Sequence, residues 1–250
     1  MTGYRNRKEH RNNEISGIRN RRSPFFEKPF QPDEEIMSWP AYERSQYGAW
    51  LLNNCPDFHP VIRIGEHYRV LDLTRGYNPD SISLDPPSIG RYNEKRMNMY
   101  STPQYQGERN IHMGLDIWVP SGTPVYAFSE GQVIGCRDNN APEDYGPTII
   151  TEHKLSDRVR SGILSIYALF GHLSRNSLEH VQEGMLLKRG QAFATVGNKQ
   201  ENGGWVPHLH FQLSWIRPAE PDMPGVVSSQ NHSDALLTYP DPQLVLGRLY

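Results

Sequence analysis

Three short patterns set histidines where they could act on one point. In His112-Met-Gly-Leu-Asp116 an imidazole and a carboxylate stand on either side of Gly114. If the segment is extended, residues 112, 114 and 116 share one face, and the glycine leaves room between the two side chains. An imidazole nitrogen and a carboxylate oxygen are both ligands that zinc accepts. In His208-Leu-His210-Phe-Gln-Leu, Leu209, Phe211 and Leu213 alternate with His208, His210 and Gln212. That alternation predicts a strand with both imidazoles on one face. Phe170-Gly-His172-Leu-Ser closes the apolar run Leu164–Phe170 and puts one more histidine at a sheet edge.

Each pattern alone is weak. Ten histidines in 250 residues give about 0.4 His-x-His pairs by chance, so the pair means little by itself. A single histidine is more often a hydrogen-bonded core or surface residue than a ligand. His153 alternates with Thr151 in a predicted strand, and no pattern gives it a catalytic task, so a structural role is expected. His10, His59, His67, His180 and His232 are expected to be surface or structural.

The elements that must hold these residues are short and turn-bounded. Apolar and β-branched runs occur at Pro124–Phe128, Gln132–Cys136, Thr148–His153, Leu164–Phe170, Ala192–Val196 and Leu209–Ile216. Their spacing predicts antiparallel sheets rather than βαβ units. Only Ser177–Val181 reads as a helical turn in this stretch. Upstream, residues 33–54 predict a helix with Pro40 near its start. Val61–Ile64 and Tyr68–Leu73 read as short strands, and Asn78–Gly90 as a turn-rich connector. The resulting organisation is a basic flexible tail over 1–30, an accessory or lid region over 31–107, a β-rich domain over 108–216 that carries the three patterns, and a proline-rich segment over 217–250 that packs back on it.

Charge narrows the function classes. Twenty-six basic residues against 28 acidic ones leave a formal net of -2, without the basic field of a dedicated nucleic-acid binder. There is no run of 18 apolar residues, so no transmembrane helix is expected. The basic N-terminus lacks an apolar h-region, so it does not read as a signal peptide. The default expectation is a cytoplasmic protein, with export by another route left open, and with Cys55 and Cys136 as reduced thiols.

The ordered combination resembles a known family. His112–Asp116, Gly122–Ala127, Tyr145–Ile150, Gly171–Ser174 and Pro207–Phe211 follow one another as in the lysostaphin and LytM-type zinc metallopeptidases, with Gly184, Gly190 and Gly197 in matching rhythm. The likeness covers about residues 108–216. It implies a mostly antiparallel β domain, a two-sheet sandwich or barrel of the lysostaphin-like type with a zinc site on one open face. It implies His112, Asp116 and His210 as zinc ligands, and His172 and His208 as the two catalytic histidines that flank the reacting water. The implied activity is hydrolysis of a peptide bond in a short peptide such as a peptidoglycan crosslink. The alternative is a domain of the same fold that only binds its ligand, or that acts on a substrate outside the cell wall.

The chain also departs from its family. The loop Asn198–Val206 is longer than the Gly/Ser/Thr run of many relatives and carries Trp205, which is expected to touch substrate. Gln212 stands where an acidic residue is common, which removes a charge near the metal. The form Glu-Asn-Gly-Gly-Trp-Val-Pro-His-Leu-His resembles a variant fused to aminotransferase-like enzymes, for which the substrate need not be cell wall.

Overall fold

The computed structural model describes residues 36–54, 57–105, 107–157 and 162–250. The tail expected at 1–30, His10 and Cys55 lie outside the described residues. The strands are β1 (Arg69–Val70), β2 (Ser88–Gly90), β3 (Ile111–His112), β4 (Leu115–Trp118), β5 (Pro124–Tyr126), β6 (Gly131–Asn139), β7 (Gly146–Asp157), β8 (Gly162–Gly171), β9 (Leu186–Leu187), β10 (Ala192–Thr195), β11 (His208–Ser214) and β12 (Val226–Val227).

Eight of them form one sheet in the order β1-β2-β4-β11-β8-β7-β6-β9, and β10–β5 and β12–β3 form separate two-stranded ribbons. Every ladder is antiparallel except β1–β2. β8 is almost wholly aliphatic and aromatic, and β7 opens on the β-branched run Thr148–Thr151, residue types that strands favour. β11 lies between β4 and β8 and is buried along its whole length, so its polar residues must find partners inside. On one side the sheet packs against the β5–β10 region, where Phe170 meets Phe193 at 5.0 Å between ring centres, and within the sheet Phe170 also meets its partner Phe211 at 5.2 Å. The sheet does not close into a barrel, and the second layer is a ribbon.

The predicted strands from 124 onward are found, most of them longer or shorter by a few residues. The helix predicted in 33–54 is Ala41–Asn54, and the predicted helical turn is Arg175–His180, capped by the Ser174 side chain. Two upstream expectations change. Val61–Ile64 forms no strand; Val61 and Ile62 are buried as a loop whose carbonyl at Val61 accepts from Tyr126 N–H. The connector Asn78–Gly90 instead ends in β2, which pairs with β4. Three residues with one aliphatic side chain carry no period to read.

His153 is held as a structural residue. Its Nδ1 donates to the Glu130 carbonyl at 3.1 Å, and its Nε2 accepts from the Thr151 hydroxyl at 2.7 Å. Its ring packs on Phe128. His59 and His232 are half-buried, while His67 and His180 are exposed.

Burial pushes the His153 pKa down to about 4. An unfolded chain takes up this proton near pH 6.5 and the folded one does not until about pH 4. The stability tied to this group is therefore present above pH 6.5 and lost as pH falls toward 4. Replacing it, His153→Gln, should remove up to about 3 kcal/mol of the wild-type difference in stability between pH 7 and pH 4. Urea unfolding at both pH values measures this; an unchanged difference would assign the acid limb to other groups.

Candidate metal centre

Three strands bring the predicted ligands together. Asp116 on β4 and His210 on β11 are directly opposed in an antiparallel ladder, where side chains on one face come closest. His112 ends β3, and the chain passes through Met113 and Gly114 before β4 begins. His210 Nδ1 lies 2.9 Å from Asp116 Oδ1 and His112 Nε2 lies 3.3 Å from the same oxygen. The two nitrogens are 3.1 Å apart. All three residues are buried and form a group whose donor atoms could hold one metal ion. Gly114 is needed here: a Cβ would stand 2.4 Å from the His210 imidazole. The room that the glycine leaves is taken by His210, not by the side chains of His112 and Asp116.

The outer ring nitrogens decide what faces inward. His112 Nδ1 donates to the Arg91 carbonyl at 2.9 Å. His210 Nε2 donates to Gln212 Oε1 at 3.0 Å, and the Gln212 amide is oriented by its own N–H bond to the Pro224 carbonyl. Gln212, expected only to remove a charge, thus orients a ring. With those protons outside, two imidazole lone pairs and a carboxylate oxygen face each other at 2.9 to 3.3 Å. Such a triangle is repulsive without a positive charge at its centre. Zinc bonds of 2.0–2.1 Å in a tetrahedron set ligand atoms about 3.3 Å apart, and two imidazoles with a carboxylate are ligands zinc accepts. The residues fit such an ion.

Charge at the centre is strongly biased by burial. Burial pushes the His112 and His208 pKa values down to about 4 and the His172 pKa well below its usual range. Burial alone would raise Asp116, but the neighbouring His112 imidazole and the Arg96 guanidinium outweigh it and hold the carboxyl well below the carboxylate range.

The other two predicted histidines flank the cluster. His208 shares the strand face of His210; its Nδ1 donates to the Val206 carbonyl at 2.8 Å and its Nε2 is 3.8 Å from Asp116 Oδ1. His172 follows Gly171, the cross-strand partner of His210, and has a positive φ of 60°. Its Nδ1 donates to the Asn202 carbonyl at 3.0 Å, and its ring lies 4.1 Å from that of His208. The long loop therefore orients His172. It docks tightly on residues 144–146: Gly203 has φ +84°, and a Cβ there would meet the Asp144 carbonyl at 2.0 Å. Trp205 is 8% exposed. Its ring contacts Tyr77 and Tyr100, its backbone is held by the Asn202 side chain, and it reaches the wall of the groove.

That groove has a volume of about 720 Å³ and is lined by Tyr100, Arg109, Tyr145, His172 and His208 among others. Residues missed by sequence reasoning stand around it. Tyr145 donates to the Met223 carbonyl and packs on His172 and His210. Burial raises its hydroxyl well above the usual pKa. Arg96, buried, donates to Asp116 Oδ2 at 2.6 Å. Tyr145 sits in a quoted motif, so a signal existed; Arg96 carries none.

Residues 110–221 match the model of peptidase family M23. This segment is an M23 domain. Over 102 residues the chain is 30% identical to the peptidoglycan DD-endopeptidase ShyA of Vibrio cholerae, covering 41% of this chain and 20% of ShyA. It is equally similar to the uncharacterized lipoprotein YgeR of Escherichia coli, covering 34% of that protein. The chain thus spans about a third or less of these curated relatives. Among solved structures, a zinc-containing peptidase from Vibrio cholerae aligns at 29% identity and TM-score 0.36, covering 49% of this chain and 31% of the other. The lysostaphin catalytic domain from Staphylococcus simulans aligns at 19% identity and TM-score 0.38, covering 59% and 92%. Among the described residues, no helix is long and apolar enough to cross a membrane. The default expectation of a cytoplasmic protein gains no support from these relatives.

Crowding at residue 114 gives a direct test of the geometry. Gly114→Ala should keep the far-UV circular dichroism of the wild type while its zinc affinity falls about tenfold or more, measured by competition with a chromophoric chelator. Wild-type affinity would show that the His210 ring can shift without leaving the centre.

Proposed function

We propose that the M23 domain is a zinc-dependent metallopeptidase that hydrolyses a peptide bond in a short peptide. One observation carries the reading. Four buried imidazoles each give their outer N–H to a carbonyl oxygen, three of them backbone carbonyls and one the Gln212 amide, and turn the inner nitrogen toward Asp116 or the groove. In this reading His112, Asp116 and His210 hold the ion, whose chemistry is Lewis acidity and a lowered pKa of water. Three protein ligands leave a position open, as catalytic sites require.

His172 and His208 carry the proton work. Both rings are neutral because burial disfavours their charged forms, and each has a free Nε2 beside the centre. One takes the proton of the attacking water at its bare Nε2 and gives it to the leaving amine; the other, with the same bare Nε2, accepts a hydrogen bond from that water and steadies it for attack. The tautomer of each ring is set from outside, by Asn202 for His172 and by Val206 for His208, so neither has to reorganise. The positive φ at His172 is a local cost of the kind that clusters at working sites.

The likeness to ShyA, a peptidoglycan DD-endopeptidase, supports a peptidoglycan-derived crosslink peptide as substrate. The depth of the centre, whose five side chains are all at most 5% exposed, favours a thin extended peptide over a bulky chain. Trp205 and Tyr100 line the groove where its side chains would pass.

Zinc analysis of chelator-treated and reloaded protein should find about one ion per chain. His210→Ala should lose the metal. His208→Ala should keep it and lose turnover by about 10²- to 10⁴-fold. Muropeptides and unrelated short peptides, with mass-spectrometric readout of the cut bond, supply the substrates. No stoichiometric zinc after reloading, or equal metal loss in both variants, would overturn the assignment.

A further inference from the structure

The groups that hold Asp116 and His112 from behind lie upstream of the M23 match. Residues 93–96 run antiparallel to β3: Asn93 N–H donates to the His112 carbonyl, His112 N–H to the Glu94 carbonyl, and Arg96 N–H to the Asn110 carbonyl, at 2.7 to 3.0 Å. Their side chains alternate, so Glu94 and Arg96 are buried while Lys95 and Met97 are exposed. Glu94 accepts from Leu73 N–H and its other oxygen lies 3.6 Å from Arg96 Nε. The Arg96 guanidinium is 1% exposed, and its Nε and Nη2 have no hydrogen bond. Its Nη1 meets Asp116 Oδ2 at 2.6 Å, with the Tyr100 hydroxyl at 3.2 Å and Met99 Sδ at 3.7 Å. A buried guanidinium is costly unless paired, and this one is paired with Glu94 at 3.6 Å and, more closely, with the second oxygen of Asp116 at 2.6 Å.

We propose that Arg96 is a positioning residue of the metal centre: it occupies Asp116 Oδ2, so that Oδ1 alone faces His112 and His210. This rests on the metallopeptidase reading above. A carboxylate with both oxygens free can turn and offer both to an ion, filling the position that a substrate or water needs. Arg96 prevents that turn and leaves a three-atom protein ligand set. Outer partners of this kind orient ligands and affect metal affinity strongly.

Cobalt(II) loading reads coordination number directly, and zinc competition reads affinity. Wild type should bind about one Co²⁺ per chain. Arg96→Met should show visible absorption lowered by about half or more as an extra oxygen coordinates, and zinc affinity weakened about 10- to 100-fold. A shift in either supports the role; wild-type values for both overturn it. If Arg96→Met does not fold, Arg96→Lys decides by the same rule, because its single donor cannot reproduce the guanidinium geometry. Arg44→Met is the control for general loosening: this buried arginine bonds the Met37 carbonyl, and its loss should leave both readings unchanged. Equal metal effects in the Arg44 variant would overturn the proposal. A wild type that takes up no metal would instead overturn the metallopeptidase reading itself, which separates the two failures.

Discussion

Asp116 is the point on which the site depends. Its Oδ1 lies within 4 Å of three imidazole nitrogens and its Oδ2 holds the Arg96 guanidinium. A buried carboxylate survives as an anion only where positive charge and hydrogen bonds surround it. Here the Arg96 guanidinium supplies such a charge at Oδ2, while β3 and β11 set imidazoles around Oδ1 whose bare nitrogens call for a cation between them. The order of the sheet follows from the same need. β11 has to lie between β4 and β8 for His210 to oppose Asp116 on one side and Gly171, with His172 beyond it, on the other.

Around that carboxylate, orientation comes from backbone. Arg91, Asn202 and Val206 each place a carbonyl behind one imidazole, and Gln212 does the same with its amide. A carbonyl can only accept, so each ring is fixed in the tautomer that leaves its inner nitrogen bare. Backbone acceptors do not titrate or change rotamer, which makes this a rigid form of pre-organisation. Gln212 fits the scheme better than an acid would. A carboxylate there would add charge beside Asp116, whereas the amide is tethered by Pro224 and presents one oriented oxygen.

Much of the site was legible in the sequence because its signals are local. His-x-His has a period that a strand displays directly, and His208 and His210 do share a face of β11, whereas His112 and Asp116 converge from two strands separated by Met113 and Gly114. The isolation of His153 from any motif likewise matched its place against Phe128 and Thr151. What was not legible depends on long-range docking. Arg96 sits in a stretch without period or motif, and its role comes from three backbone bonds to residues 110 and 112. β2 was hidden because three residues with one isoleucine show no alternation. Trp205 could be seen to lie near the site, but not that Tyr77 and Tyr100, from the preceding region, would bury most of it.

These contacts change what the region before the M23 match is for. A boundary at residue 107 would cut β1 and β2 from the sheet, Arg91 and Arg96 from the ligands, and Tyr100 from Trp205. The same stretch also ties down the far wall: Ser101 and Thr102 N–H groups donate to the Glu143 carboxylate, and the Tyr105 hydroxyl donates to the Glu143 carbonyl. Glu143 itself has a positive φ of 63°, a conformation that a non-glycine residue holds only when its surroundings over-determine it. It lies next to Asp144 and Tyr145, against which the His172-orienting loop docks. Upstream residues thus set Asp116 directly and His172 through Glu143 and the loop. The 110–221 segment contains the proposed ligands and catalytic histidines, but their geometry is a property of the longer unit that begins with β1.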